Sequence, residues 1–379
     1  MRLLLVSRDF PPAIGGIQTT IVELARHLTM LGHSVVVLAP THPDTHSVDQ
    51  ALPFEVVRLR TPWQQMNAAV VGAILQLCAQ RSFDASLHAL WHTLPGALAA
   101  RAMGRLGVVT AIGHGRELRH NEWRSRARRL QTPLRQQLSR RVNTWFAVSR
   151  FTRDLLVEDG IDPAKIRLTH GGVDVKKFAP QRPMSSSWGL KYVAEPLLVT
   201  VSRLVRRKGI DTVLDALPTI RDAIPSVRYL VGGVGPDAER LHKKRDDLKL
   251  RGTVRFLGHV HDTDHVALLS DATAFVMPVR SRGADVEGFG LSFLEANACG
   301  TPVIGARAGG VPDAVEHQGT GLLVPADDPH AFAAAALEML RNEPARERMR
   351  QRGIERVNED FTWSAVARRY ERGLEACLR

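Results

Sequence analysis

Short apolar runs alternate with longer stretches of helical periodicity along most of the chain. Apolar runs bounded by turn residues predict buried strands, and the spacing of Ile21, Leu24 and Leu28 predicts amphipathic helices between them. This alternation favours an α/β fold with parallel sheets and right-handed crossover connections. The predicted strands lie at residues 3–6, 34–38, 54–59, 85–89, 108–112, 144–148, 166–169, 197–201, 228–232, 254–257, 274–277, 302–305 and 321–324.

Two such series of strands and helices indicate two domains of similar size, and 379 residues suffice for two cores. Residues 171–189 lie between the two series and are rich in glycine, proline and serine, as linkers are. We therefore predict an N-terminal domain at residues 1–180 and a second domain at residues 181–360. Residues 361–379 predict a final amphipathic helix.

Basic residues follow the first strand of the second domain. The predicted strand 197–201 is followed by Arg203 and then by Lys208. Arginine can engage phosphate oxygens in a fork and lysine acts as a point charge, so this pair suits a diphosphate at the carboxyl end of a strand. The alternative is a solvated basic turn, and we assign the neighbouring Arg206 and Arg207 to such a turn.

Two glutamates lie eight positions apart in Glu287-Gly-Phe-Gly-Leu-Ser-Phe-Leu-Glu295. Glu287 is on a glycine-rich loop, and Glu295 is in the first turns of the helix that follows this loop. A helix N-terminus offers backbone N–H groups and a positive dipole end to an anion, and flanking carboxylates can bind sugar hydroxyls. The alternative is an ordinary helix start with acidic residues. The predicted site includes the backbone of Gly288, Phe289, Gly290 and Leu291.

The first domain contains two further candidates. Asp9 and the pair Gly15 and Gly16 lie in a loop between the first strand and a helix. Asp9 either holds a substrate hydroxyl or caps its own loop. His114 follows a strand between two glycines, which predicts an exposed imidazole that contacts a ligand or belongs to a solvated loop.

These motifs resemble a known family. The Gly-Gly loop, the Ser-Arg-x4-Lys-Gly segment and the Glu-x7-Glu element occur in this order in retaining glycosyltransferases of family 4, which have the GT-B fold. The opening segment, together with His114-Gly-Arg-Glu-Leu, is most similar to bacterial phosphatidylinositol mannosyltransferases. The resemblance covers nearly the whole chain. It implies two Rossmann-like domains that face each other across a cleft, with a last helix that crosses back to the first domain.

The resemblance also implies an activity. A hexose, mannose among the options, would move with retention from a GDP- or UDP-linked sugar to a hydroxyl of a lipid-linked or soluble acceptor in the first domain. Arg203 and Lys208 would stabilise the departing diphosphate, and His114 would contact the donor sugar or its phosphate. Glu287 would bind sugar hydroxyls and Glu295 the ribose. The nucleotide site would also include the glycine-rich turn at Gly235 and the backbone of Val260.

Other interpretations remain open. Asp262 and Asp264 resemble a metal-binding pair, but they lie where a helix begins and favour an N-cap role. We therefore predict no catalytic metal and no cofactor apart from the donor substrate. A glycosyl phosphorylase or a nucleotide-sugar epimerase could use the same fold. A basic membrane- or nucleic-acid-binding protein with a degenerate site is the third option, which the intact Arg203, Lys208, Glu287 and Glu295 set disfavours.

The net charge of +12 is uneven along the chain. Residues 1–180 contain 23 Lys and Arg against 13 Asp and Glu, and residues 116–141 alone contain nine Arg and two Glu. Such a stretch favours an anionic partner, although it also fits a solvated basic helix. No nucleic-acid-binding motif accompanies it, so we expect an anionic membrane surface and no nucleic acid.

Composition limits the compartment. The three cysteines (Cys78, Cys299 and Cys377) are isolated, which disfavours a disulfide framework or a zinc site and indicates a reducing environment. The chain shows neither a signal sequence nor an apolar run long enough to span a bilayer. We expect a cytoplasmic protein, with the inner face of the cell membrane as the place of a lipid acceptor.

Overall fold

The protein is described from a computed structural model. The described residues are 1–43, 45–60, 68–118, 126–181, 196–283 and 285–379, and in the helix at 126–140 the side chains are described from residue 132. The chain divides into two compact units. The first unit comprises residues 1–171 and 363–379, and the second comprises residues 172–362.

The described part of the chain forms thirteen strands and fourteen α-helices. The strands are β1 (Arg2–Val6), β2 (Ser34–Pro40), β3 (Glu55–Leu59), β4 (Phe83–His88), β5 (Leu106–Gly113), β6 (Thr144–Ala147), β7 (Ile166–Leu168), β8 (Leu197–Val201), β9 (Arg228–Gly232), β10 (Val254–Gly258), β11 (Ala274–Met277), β12 (Val303–Ala306) and β13 (Gly321–Val324). The helices are α1 (Gly16–Met30), α2 (Thr45–Gln50), α3 (Ala68–Gln80), α4 (Leu94–Ala102), α5 (Arg126–Arg140), α6 (Arg150–Glu158), α7 (Ile210–Ala223), α8 (Ala238–Asp247), α9 (Asp262–Asp271), α10 (Leu291–Ala298), α11 (Val311–Ala314), α12 (Pro329–Arg341), α13 (Glu343–Asp360) and α14 (Trp363–Leu378).

Each unit is built on one parallel sheet. The first sheet has the strand order β3-β2-β1-β4-β5-β6-β7, and the second has the order β10-β9-β8-β11-β12-β13. The central strands β1 and β8 are almost wholly apolar and buried, because helices cover both faces of such sheets. The predicted α/β fold with two parallel sheets is therefore confirmed, and each predicted strand has its counterpart in the structure.

In each sheet the strand order reverses beside its first strand, between β1 and β4 and between β8 and β11. Loops that leave the carboxyl ends of strands at such a reversal splay apart and leave room for a ligand. The loops after β1, β8 and β11 carry most of the residues that the sequence singles out.

The chain passes from one unit to the other at residues 171/172 and again at 362/363, whereas we predicted these changes at 180/181 and 360/361. The two passages run side by side, since Val173 and Thr362 form a parallel bridge. Residues 172–181 belong to the second unit because they pack there. The Phe178 ring meets the His265 ring edge-on at 5.4 Å.

The last helix, α14, is part of the first unit and contacts α1, β5 and β6. Its apolar side is buried, and Gly373 allows close approach because a Cβ there would overlap the Phe146 ring. Among the described residues, no helix is long and apolar enough to cross a bilayer.

Candidate active site

The turn after β8 carries three basic side chains. A single 3₁₀ turn covers Arg206–Lys208, and Gly209 ends it with a φ of +71°, a conformation that favours glycine. A Cβ at Gly209 would overlap the Pro278 carbonyl oxygen. Only glycine therefore lets this turn pack directly against the loop that follows β11.

Glu287 binds two of the three basic residues of this turn, Arg207 and Lys208. Lys208 Nζ donates to Glu287 Oε2 at 2.7 Å, and the Arg207 guanidinium donates to the same oxygen. Arg207 Nε also lies 3.2 Å from Asp285 Oδ1. Burial raises the pKa of Glu287, but the charges and hydrogen bonds of Lys208 and Arg207 outweigh it and hold this pKa below its usual range. The carboxylate is therefore ionised and shared by two cations.

Our assignment of Arg207 to a solvated turn is wrong. Its side chain is only 20% exposed because it folds onto Glu287 and Asp285. Arg206 does point to solvent, with 68% of its side chain exposed. The two neighbours differ because the partners of Arg207, Asp285 and Glu287, lie about 80 positions further along the chain, where the local sequence does not reveal them.

Arg203 stands apart from this cluster. The residue is exposed, and its guanidinium makes no hydrogen bond or ion pair with any other described residue. The structure thus brings Lys208 and Glu287 together and leaves Arg203 at the surface of the same loop.

The loop from Glu287 to α10 is shaped by glycines. Gly290 precedes the helix with a φ of +100°, and the Phe289 side chain is buried with its ring 6.0 Å from the Phe361 ring. Gly310 N–H donates to the Glu287 carbonyl oxygen at 2.9 Å and ties the loop to the next segment. Phe289 is therefore core. The backbone N–H groups of residues 288–291 lie at the N-terminus of α10, a position that suits an anion.

Glu295 lies on α10 and is partly buried. Burial raises the pKa of Glu295 to about 7, the positive charges of Lys177 and Lys208 oppose this rise, and Asp262 adds to it. No described residue donates a hydrogen bond to its carboxylate. The group therefore titrates near neutral pH and keeps its acceptor positions open.

Gly235 and Val260 lie on the loops after β9 and β10, at the same edge of the second sheet as the loop after β8. The Leu204 N–H donates to the Val234 carbonyl at 2.9 Å, and a Cβ at Gly235 would overlap the Leu204 backbone. The Val260 side chain fills the space beside Gly232. Gly235 is thus required for backbone packing between the loops after β8 and β9.

The predicted N-cap role of Asp262 and Asp264 is wrong. Helix α9 is preceded by His261, and both aspartates lie in its first turn, where the helix dipole favours acids. Asp262 Oδ2 pairs with Lys177 Nζ at 2.8 Å. Among the described residues, no three His, Cys, Asp or Glu side chains cluster as a potential metal site.

In the first unit, His114 follows β5 and its loop is held by Glu117. Glu117 Oε1 accepts the His114 N–H at 2.6 Å and the Gly115 N–H at 3.3 Å. Burial lowers the pKa of His114 to about 4, although a hydrogen bond to the Ala89 backbone opposes this shift. The expectation of an exposed imidazole is wrong, because Nε2 is buried without a hydrogen-bond partner among the described residues.

A buried ion pair lies behind this loop. Arg135 on α5 is fully buried, and its guanidinium donates to Asp159 Oδ1 at 2.7 Å. Burial raises the pKa of Glu117, while its backbone hydrogen bonds and the Arg135 charge oppose the rise. At least one of the nine arginines in residues 116–141 is therefore an interior residue and unavailable to a membrane. Sequence reasoning missed both Glu117 and Arg135.

The loop after β1 is held mainly by Ser7. Ser7 Oγ donates to the Asp9 carbonyl at 2.7 Å and accepts the Asp9 N–H at 3.2 Å. The Asp9 carboxylate lies 3.7 Å from the Arg8 guanidinium and is 25% exposed, so within the described chain it does not cap its loop. Gly15 precedes α1 in extended conformation, and Gly16 begins this helix.

Both halves of the chain match known protein families. Residues 14–177 match the family described as "Glycosyltransferase Family 4", and residues 188–356 match "Glycosyl transferases group 1". A mannosyltransferase from Mycobacterium tuberculosis, named as GDP-mannose-dependent and acting on phosphatidylinositol monomannoside, is 31% identical over 97% of this chain and 96% of its own length. The chain belongs to the family 4 glycosyltransferases.

Other relatives of this glycosyltransferase differ in their named substrates. A Corynebacterium glutamicum mannosyltransferase, named for a monoacylated phosphatidylinositol monomannoside, is 30% identical over 97% of this chain and 96% of its own length. The M. tuberculosis glycogen synthase is 29% identical over 97% of this chain and 92% of its own.

Solved structures support the GT-B fold of the glycosyltransferase. Sucrose-phosphate synthase from Thermosynechococcus elongatus matches with a TM-score of 0.84 and 23% identity, covering 99% of this chain and 98% of its own. The Anabaena protein HepE, in complex with UDP and glucose, matches with a TM-score of 0.80 and 18% identity, covering 99% and 100%.

Proposed function

We propose that this glycosyltransferase moves a mannosyl group from a nucleotide diphosphate sugar to a hydroxyl of a lipid-linked acceptor, with retention and without a metal ion. The observation that carries the proposal is the contact of Lys208 and Arg207 with Glu287 beside the N-terminus of α10. The mannosyltransferases at 30–31% identity support the donor sugar and the lipid acceptor.

The cations and the helix N-terminus supply what the departing diphosphate needs. Negative charge grows on the leaving phosphate as the anomeric C–O bond breaks, and preorganised positive groups stabilise that charge. In this proposal Arg203, Arg207 and Lys208 contact the phosphates together with the backbone N–H groups of residues 288–291. The same cations make a divalent metal unnecessary. As the cations turn to phosphate, Glu287 becomes available to the sugar hydroxyls.

The nucleoside would be held by the rest of the second unit. Glu295 has open acceptor positions that suit the two ribose hydroxyls. The backbone around Gly235 and Val260 would meet the nucleotide, because these residues lie on loops at the same edge of the sheet.

Retention would follow from attack on the same face that the diphosphate leaves. The acceptor oxygen forms the new bond to the anomeric carbon, the old C–O bond breaks, and the acceptor proton passes to the leaving phosphate. In this mechanism Glu287 binds sugar hydroxyls and does not act as a nucleophile. His114, neutral at physiological pH because its pKa is about 4, would contribute a hydrogen bond and no charge.

The first unit would contribute the acceptor contacts through Asp9, Gly15 and Gly16. The basic stretch at 116–141 would bring the protein to an anionic membrane surface at the inner face of the cell membrane, where it would meet a lipid acceptor.

The test is transfer by the purified protein from GDP-mannose, compared with other GDP- and UDP-linked sugars, to phosphatidylinositol-type and soluble acceptors. We expect a mannosylated lipid whose new bond has the α configuration of the donor by NMR, and unchanged rates in EDTA. A β-linked product would contradict retention, and transfer to a soluble acceptor would contradict the lipid-linked acceptor. Loss of activity in EDTA that Mg²⁺ restores would contradict the absence of a metal requirement. Release of free sugar phosphate, or an epimerised donor, would favour a phosphorylase or an epimerase.

A further inference from the structure

Arg280 is a buried arginine that the proposed chemistry does not use. It is the third residue after β11, and only 6% of its side chain is exposed. A buried arginine is costly unless all its charge is paired, so its partners indicate what it holds in place. These partners lie at both ends of the segment that carries Arg207 and Lys208.

The side chain of Arg280 binds the start of α7. Its two terminal nitrogens donate to the two oxygens of Asp211 at 3.1 and 2.9 Å, and one of them also donates to Thr212 Oγ1 at 2.6 Å. Arg280 Nε lies 2.7 Å from Asp327 Oδ1. Paired hydrogen bonds between the two planar groups restrict their relative orientation as well as their distance.

The backbone of Arg280 binds the other end of the segment. Its N–H donates to the Arg207 carbonyl oxygen at 2.9 Å. Between these two attachments lie Lys208 and Gly209, and Gly209 packs against the Pro278 carbonyl. One residue therefore clamps residues 207–211 to the loop after β11, the same loop that leads to Glu287.

We infer that Arg280, through its paired hydrogen bonds with Asp211, is a positioning residue that sets Arg207 and Lys208 at the right distance from Glu287 and from a bound diphosphate. The inference rests on the proposed function of this cluster. In this proposal Arg280 itself does not contact the ligand, because its terminal nitrogens donate to Asp211 and Thr212 and its Nε is ion-paired with Asp327.

The experiment compares Arg280→Lys with wild-type protein by calorimetry with GDP and UDP and by steady-state transfer. Lysine keeps the charge but cannot form the fork. We expect the affinity for the nucleoside diphosphate to fall roughly tenfold and kcat to fall by roughly ten- to a hundredfold, since small misplacement of charged groups is costly. The melting temperature should change little.

A double-mutant cycle separates positioning from mere packing. In a Lys208→Ala background, Arg280→Lys should cost less than about threefold further in diphosphate affinity, because one of the two groups it positions is already gone. A purely structural role would multiply the two losses. Asp211→Asn tests the same pair from the other side, and it replaces Arg280→Lys if that variant does not fold.

Arg240→Gln is the matched control. Arg240 also binds Asp211, at 3.1 Å, but its other partner is Asp237, and it makes no hydrogen bond or ion pair with the described residues of the loop after β11. We expect near-wild-type diphosphate affinity. If the wild-type enzyme transfers sugar, two results would overturn the inference alone. One is wild-type diphosphate affinity and kcat in Arg280→Lys, and the other is multiplicative losses in the double-mutant cycle. Wild-type protein that binds nucleoside diphosphate without transferring sugar would reject the proposed function alone, and one that binds none would reject both.

Discussion

The two units share the order of their first six strands but use charge differently. In the second unit Lys208, Arg207 and Glu287 contact one another with 11–20% of each side chain still exposed. In the first unit Arg135 is 1% exposed, and Glu117 binds backbone N–H groups of its own loop. Sheets of similar topology can therefore carry paired charges that stay partly exposed in one unit, which we call exchangeable charges, and paired charges that are buried in the other. A ligand can compete for the first kind and cannot reach the second.

The buried pair of the first unit gives the largest expected effect. Asp159→Asn leaves Arg135 buried without a counter-charge and should lower the free energy of unfolding by about 3–5 kcal/mol. Asp154→Asn is the matched control, because the Arg153–Asp154 pair is solvent-exposed, and it should cost less than about 1 kcal/mol. Denaturant unfolding measures both. Equal small losses would place Arg135–Asp159 among the exchangeable charges.

The exchangeable charges of the second unit should matter for rate. Lys208→Ala and Arg203→Ala should each lower kcat by about 10²–10³-fold, since each removes a positive group that would stabilise the leaving diphosphate. Lys244→Ala is the control, because Lys244 makes a comparable ion pair with Asp215 at 2.6 Å. Near-normal turnover in both active-site variants, with an intact fold, would remove them from the mechanism.

Glu287 tests whether the cations are released to the ligand. Glu287→Gln removes the charge that Lys208 and Arg207 share, so diphosphate affinity should stay equal or rise while sugar transfer falls about 10²-fold. Calorimetry with GDP, alongside turnover, distinguishes the two effects. A strong loss of GDP affinity would instead assign Glu287 to nucleotide binding.

Glu295 should make donor binding depend on pH. Its pKa of about 7 leaves much of the carboxyl protonated in neutral solution, and only the ionised form accepts two ribose hydrogen bonds. Affinity for a nucleotide sugar should therefore fall about tenfold from pH 8 to pH 6, one pKa unit being a factor of ten in protonation. Glu295→Gln should bind more weakly and without this slope. A slope that survives the substitution would exclude Glu295 as its source.

The smallest expected effect per residue is on the free energy of binding to an anionic membrane. Arg124, Arg126, Arg128 and Arg129, with the neighbouring Trp123, have side chains outside the described residues. Each of the four arginines should contribute about 1 kcal/mol to binding anionic vesicles, an effect that salt screens. Replacing the four arginines with Gln should weaken vesicle binding and leave nucleotide affinity unchanged. Equal, negligible binding of wild-type protein to anionic and neutral vesicles would support a soluble acceptor.

The strands were predictable because each is a short apolar run whose signal is local. Lys208 and Glu287 were also visible, since each stands in a short motif beside glycine. Arg207, Arg280 and Glu117 were not, because their partners are backbone atoms or side chains brought close only by folding. The sequence shows which residue types are present near a site, whereas burial and pairing decide which of them the ligand can reach.

The position of α14 has a consequence for biosynthesis. Its buried residues, among them Val366, Tyr370 and Leu374, complete the apolar surface of the first unit, yet they are translated after the whole second unit. Domains usually fold in the order in which they leave the ribosome. Here the first unit, although begun first, stays unfinished at the surface that α14 covers until the second unit has been synthesised.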